Sequence, residues 1–135
     1  MAPYYSLEDV KTAAGDDRVE LGGKNFNDRL LPWLRTPLAA RSFARSVLLE
    51  LSPGDYFKSV TYGDVACDEY GIAISTDLQD AFRIRGLVTW YVKLRLEQRR
   101  GGKTVLLASL HGAERDFDER RAGGPLRVEF ELREP

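Results

Sequence analysis

Any histidine-dependent proton transfer in this chain falls on His111, its one histidine. Imidazole has an unperturbed pKa near neutrality, which suits a general acid or base. His111 ends a run of alternating residues, 104–111, and a period of two puts it on the same face as Ser109. A lone histidine at a strand end is more often an incidental surface residue. Lys58 lies inside Asp55-Tyr56-Phe57-Lys58-Ser59 and shares a face with Val60 and Tyr62. To act as a base it needs a large downward pKa shift, since free lysine titrates about three units above neutral. To stabilise charge on a crowded phosphate it needs only position. The competing reading is a snorkelling lysine at a sheet edge. Tyr91, Lys93 and Arg95 form the polar side of one alternating segment. A ring flanked by cations is a platform for single-stranded RNA, with a base on the ring and phosphates on the cations. The same alternation is also ordinary on a solvated strand. Arg83 and Arg85, just upstream, are further candidates for backbone contacts.

These side chains need strands to hold them. Ser6-Leu7-Glu8-Asp9 has the look of a capping box, so a short helix is expected to stop near Gly15. Arg18–Leu21 reads as a short extended piece. Thr36-Pro37 opens a second helix, with Leu38, Phe43, Val47, Leu48 and Leu51 on one face. Ser52-Pro53-Gly54-Asp55 punctuates its end. The period then changes to two. Strands are expected over Phe57–Tyr62, Val65–Ser75, Phe82–Gly86, Leu87–Gln98, Thr104–His111 and Leu126–Arg133. Val88, Trp90, Val92, Leu94 and Leu96 point one way; Thr89, Tyr91, Lys93, Arg95 and Glu97 point the other. Gly101-Gly102 suits a hairpin, and Asp116–Gly124 reads as an exposed charged loop. Helices followed by antiparallel strands give an α+β class.

Composition narrows the function. A chain of 135 residues, 43% hydrophobic and 30% charged, fits one domain with its own core, spanning 1–135. No apolar run is long enough to span a bilayer, and no membrane partner is expected. The N-terminus has neither the basic nor the apolar region of a signal peptide. Cys67 is alone, so an internal disulfide and cysteine-based zinc spacings are excluded, and a reducing, cytoplasmic setting is expected. One histidine excludes a His-rich metal site. A carboxylate site for magnesium or calcium stays open, but neither an EF-hand nor a P-loop pattern is present, and no cofactor is expected. A Gly-rich phosphate loop and a nucleophile elbow are likewise absent. The formal net charge is −1, yet residues 81–113 carry seven basic residues against Glu97 alone. Residues 59–80 carry five acids and no base. A basic block attracts phosphates locally, or it pairs with the acidic one.

Several segments together resemble a known family. Tyr5-x-Leu7-x-x-Val10-Lys11, Val19, Leu51-Ser52-x-x-Asp55-Tyr56-Phe57-Lys58-Ser59-x-Thr61-Tyr62, Tyr91-Val92-Lys93 and Val105-Leu106-Leu107-x-Ser109-Leu110-His111 occur in this order. The set resembles the MqsR family, motility quorum-sensing regulator toxins of bacterial type II toxin–antitoxin systems. The Asp-aromatic-aromatic-Lys-Ser block is its specific part, and the resemblance covers roughly residues 5–21 and 51–111.

The resemblance implies a RelE-like fold, with N-terminal helices packed on a twisted antiparallel sheet. Residues 112–135 extend past where the family usually stops and add a C-terminal strand. It also implies a metal-independent mRNA endonuclease, with a cognate antitoxin as protein partner. The family's block lysine falls on Lys58, its sheet tyrosine on Tyr91 and the lysine of its closing strand on His111. Histidine there departs from the family pattern. The family's Trp-Gln-Asp-x-Tyr segment appears only as Cys67-Asp68-Glu69-Tyr70, leaving its glutamine without a clear match, and the pI is low for such toxins. A diverged RNA- or protein-binding module that does not cut is therefore the alternative.

Overall fold

The computed structural model describes residues 2–22, 30 and 34–112. Helix α1, Leu7–Gly15, begins where the Ser6 hydroxyl accepts the Asp9 N–H, with Glu8 and Asp9 in its first turn. It ends in a Schellman turn. Asp17 takes a left-handed φ of 61°, while the Asp17 and Arg18 N–H groups donate to the Ala14 and Ala13 carbonyls. Strand β1, Val19–Leu21, follows. Helix α2, Pro37–Glu50, is capped by Thr36 and starts on proline, whose missing N–H has no partner to lose there.

A 3₁₀ turn, Pro53–Asp55, leads into the sheet; the Asp55 carboxylate accepts both the N–H and the hydroxyl of Ser52. Strands β2, Tyr56–Tyr62, and β3, Val65–Ala73, form a hairpin. Helix α3, Thr76–Ala81, intervenes before β4, Thr89–Arg99, and β5, Gly102–Gly112. The turn into β5 depends on glycine. Gly101 has a φ of +94°, and a Cβ there would come within 3.1 Å of the Arg18 guanidinium.

The strand order is β1-β5-β4-β3-β2. Four strands pair antiparallel, and β1 joins β5 in parallel. The α+β expectation holds, but the sheet is mixed rather than wholly antiparallel. The short extended piece near Arg18 is the reason, since it docks beside β5 as an edge strand.

Two further expectations are corrected. Residues 82–86 are not a strand. Phe82 caps α3, Arg83 has a φ of 57°, and the Arg83 and Ile84 N–H groups close a second Schellman turn on Asp80 and Gln79. Leu38 is exposed, because the face of α2 that meets the sheet runs through Ala40, Phe43, Ala44, Val47 and Leu48. The loop 116–124 and the strand 126–133 lie outside the described residues. Among the described residues, no helix is long and apolar enough to cross a membrane.

The helices cover one side of the sheet. Tyr70, Ile72, Trp90, Val92, Leu94, Val105, Leu107 and Leu110 meet Val10, Phe43, Val47 and Leu48 in one core. Phe43 stands edge-on to Trp90, with ring centroids 4.8 Å apart. The same side holds a polar knot. Asp68 is fully buried and accepts the N–H groups of Tyr4 and Tyr5, at 2.9 and 2.8 Å, and the Ser59 hydroxyl. Tyr56 and Ser59 share a hydroxyl contact of 2.7 Å, and Tyr5 donates to the Ala66 carbonyl. A buried carboxylate requires such donors, and these tie the N-terminal segment to the β2–β3 hairpin.

Tyr70 breaks the pattern, since among the described residues its buried hydroxyl has no partner. Burial, then the charge of Asp68, pushes its phenol up to about 12. The folded chain therefore holds this proton more tightly than the unfolded chain, whose phenol titrates near 10. The stability linked to it is whole below pH ~10 and is lost as pH climbs through the folded value. Tyr70→Phe removes both the unpaired hydroxyl and the titration. It should raise stability by about 1 kcal/mol at neutral pH and flatten the alkaline decline, as read by urea denaturation at stepped pH. A clear loss of neutral stability would show that the hydroxyl is bonded.

Candidate functional site

The sheet's other face carries the residues singled out for chemistry. Across the strands, Lys58 on β2 stands opposite Glu69 on β3, Glu69 opposite Lys93 on β4, and Lys93 opposite Ser109 on β5. In the next row Gly71, Tyr91 and His111 are neighbours.

Two bulges create the grouping. On β2, Tyr56 pairs with Tyr70 and Lys58 with Glu69, so Phe57 is an extra residue. Tyr56 stays on the core side, edge-on to Tyr70, while Lys58 turns to the open face. On β5, Leu107 pairs with Leu94 and Ser109 with Lys93, so Ala108 is extra. Strict alternation from Val105 and Leu107 would send Ser109 and His111 into the core. The bulge sends them to the face of Tyr91 instead.

Tyr91 and His111 lie ring beside ring, with centroids 5.0 Å apart and planes inclined by 34°. The His111 Nδ1 is 2.8 Å from the Gly112 carbonyl oxygen. A carbonyl only accepts, so Nδ1 carries the hydrogen and the neutral ring keeps its lone pair on Nε2. Tyr91 lies one row along from Glu69 across β3 and β4. Burial, then the negative charge of Glu69 nearby, raises its phenol well above the ordinary value. Tyr91 therefore stays protonated at neutral pH and is no base.

Lys93 donates to the Tyr62 hydroxyl and lies 4.5 Å from the centroid of that ring. Lys58 lies 5.6 Å from the Phe57 centroid and makes no ion pair among the described residues. Its strand is three spacings from that of His111, roughly 14 Å between backbones, which leaves room for a phosphodiester between the two side chains.

The remaining candidates are less central. Arg95 shares the face but pairs with Glu97 at 3.1 Å. Arg83 and Arg85 lie on the turn after α3, before β4, and Arg85 is held by Asp80 at 3.0 Å. Arg99 pairs with Glu97 and Glu20, and Lys103 with Asp9. Much of the basic block is thus neutralised on the surface, with only Asp80 drawn from the acidic block. Such exposed pairs are weak and readily exchanged.

Cys67 shares the open face but is buried, and burial raises its thiol, so it makes a poor nucleophile. Glu69 was not among the sequence candidates. Its signal was an acid in mid-strand at the parity of Cys67 and Gly71, which pairing with β4 carries onto the face of Tyr91.

The chain matches no protein-family profile, and no curated protein is a significant match.

Deleting Ala108 removes the extra residue, so Leu107 and Leu110 stay on the core side and Ser109 and His111 stay on the face of Tyr91 in an unbroken ladder. The deletion and Ala108→Gly should both stay within about 1 kcal/mol of the parent in urea denaturation. A loss of about 3 kcal/mol or more in the deletion, the cost of turning Ser109 and His111 into the core, would refute Ala108 as the extra residue.

Proposed function

We propose that this chain is a metal-independent endoribonuclease, the toxin of a bacterial type II toxin–antitoxin pair. The observation that supports it most is the pair of bulges turning Lys58 and His111 to the face of Tyr91. Bulges recur where a strand must re-aim a side chain beside an active site. Lys58 and Tyr91 are also positions through which the sequence resembles the MqsR family, whereas His111 stands where that family has lysine.

Single-stranded RNA lies across β2–β5, with a base against Tyr91 and the backbone held by Lys93 and Arg95. The RNA's 2′-hydroxyl attacks the adjacent phosphorus. His111 Nε2 takes the proton from that hydroxyl and later returns it to the departing 5′-oxygen. The bond from the 2′-oxygen to phosphorus forms as the bond to the 5′-oxygen breaks. The products are a 2′,3′-cyclic phosphate and a 5′-hydroxyl. Lys58, charged and without an ion pair among the described residues, stabilises the crowded phosphate. A toxin of this class acts on mRNA in the cytoplasm and needs a neutralising protein partner, the cognate antitoxin.

Mixed-sequence RNA incubated with purified protein in EDTA tests the reading. His111→Ala should slow cleavage by at least about tenfold, since one acid–base group contributes roughly 10²–10⁴-fold. Lys58→Ala should slow it by about 10²-fold or more. In growing bacteria, expression of the parent should arrest growth and Lys58→Ala should not. Near-parental cleavage by both variants would sink this site. RNA binding without cleavage by the parent, with and without ribosomes, would make the chain a binding module.

A further inference from the structure

Tyr62 is the last residue of β2 and is 58% exposed. By the period of two it shares the open face with Lys58 and Val60. An exposed ring at the end of an edge strand usually hangs in water. This one is held. Lys93 reaches from β4 across β3 and donates to the Tyr62 hydroxyl, with its ammonium 4.5 Å from the ring centroid. The contact runs diagonally, since Lys93 belongs to the row of Glu69 and Tyr62 to the row of Val65. Cys67 lies on β3 midway between those two rows. It is only 4% exposed although it faces this side, and two side chains reaching over it account for that.

Lys93 is also two residues from Tyr91 on the same side of β4, roughly 7 Å along the strand. The face therefore presents a ring, a cation and a second ring in order, with His111 beside the first. Base, phosphate and base follow one another in the same way along a single strand of RNA. The ammonium meets Tyr62 at its hydroxyl, so the contact fixes the ring while leaving much of it in solvent.

We propose that Tyr62 is a second nucleobase platform: with Lys93 on a phosphate between them, the face takes two bases of one strand, one on Tyr91 and one on Tyr62. The inference rests on the reading of this face as an RNA surface. It sets the path of the strand, obliquely over the sheet from β5 to β2. It also sets the substrate class. Bases stacked within a duplex are not free to lie on rings, so the face takes unpaired segments. Every base has a π-face, so Tyr62 adds affinity without adding a sequence code.

A tetranucleotide with 2′-O-methyl riboses tests this, because it carries no 2′-hydroxyl to attack and stays whole. Its affinity is measured by fluorescence anisotropy beside a strand of four abasic units with the same phosphates. The gain from adding the bases should be about tenfold smaller in Tyr62→Ala than in the parent, the scale of one base on one ring. Tyr62→Phe keeps a ring and should keep the gain. The abasic strand should bind parent and Tyr62→Ala alike, which also shows that the variant is folded. An undiminished gain in Tyr62→Ala would overturn the inference, and so would a loss shared equally by the abasic strand. A parent that binds neither strand would overturn it as well. A parent that shows the expected gain and leaves ordinary RNA uncut would remove the ribonuclease reading and keep Tyr62 as a base platform. Cleavage by the parent with an undiminished gain in Tyr62→Ala would remove the platform alone.

Discussion

A pleated strand sends successive side chains to opposite faces, and one face of this sheet is committed to the helices. That commitment decides where anything reactive can stand. Trp90, Val92 and Leu94 go down into the core, so Tyr91, Lys93 and Arg95 come up. On β2 and β5 the same rule would separate the key residues. Tyr56 and Lys58 have the same parity, and so do Leu107 and His111, yet the first of each pair belongs on the core side. One extra residue in each strand resolves the conflict. Phe57 and Ala108 cost two irregularities in the ladder and put Lys58 and His111 on the face of Tyr91.

The helix side supplies the rigidity this arrangement needs. The block that reads Ser52, Asp55, Tyr56, Lys58, Ser59 divides cleanly by role. Asp55 closes the 3₁₀ turn on Ser52, and Tyr56 and Ser59 join the knot around buried Asp68. The neighbouring Leu51 is in the core, and its carbonyl accepts the Lys11 ammonium. These contacts hold the strand on both sides of Lys58. Lys58 itself stands on the opposite face, across from Glu69.

Alternation made β4 legible from sequence, because Trp90 to Glu97 obey it without a break. The capped starts of α1 and α2 were legible for the same kind of reason: Ser6, Thr36 and Pro37 act locally. Register was not legible. A bulge leaves no mark in composition, so the grouping of Lys58 with His111 depended on pairings seen only in three dimensions. Arg83 and Arg85 were misread as strand because they alternate with Phe82 and Ile84, while the left-handed φ of Arg83 instead closes a helix. Asp68 and Glu69 are adjacent acids on opposite faces. One binds backbone N–H groups in the core, and the other stands on the opposite face between Lys58 and Lys93 in the cross-strand row. Their chemistry was set by which side of the pleat each occupies.

The central claim is that this face promotes attack by an RNA 2′-hydroxyl on its own phosphodiester. The most direct measurement is end-group analysis of RNA treated with the parent protein in EDTA, beside the same oligonucleotide carrying 2′-deoxyribose at the cut. The account predicts 2′,3′-cyclic phosphate and 5′-hydroxyl ends from the first and no cleavage at that position in the second. Cleavage of the deoxy-substituted position, or products ending in 5′-phosphate, would contradict it.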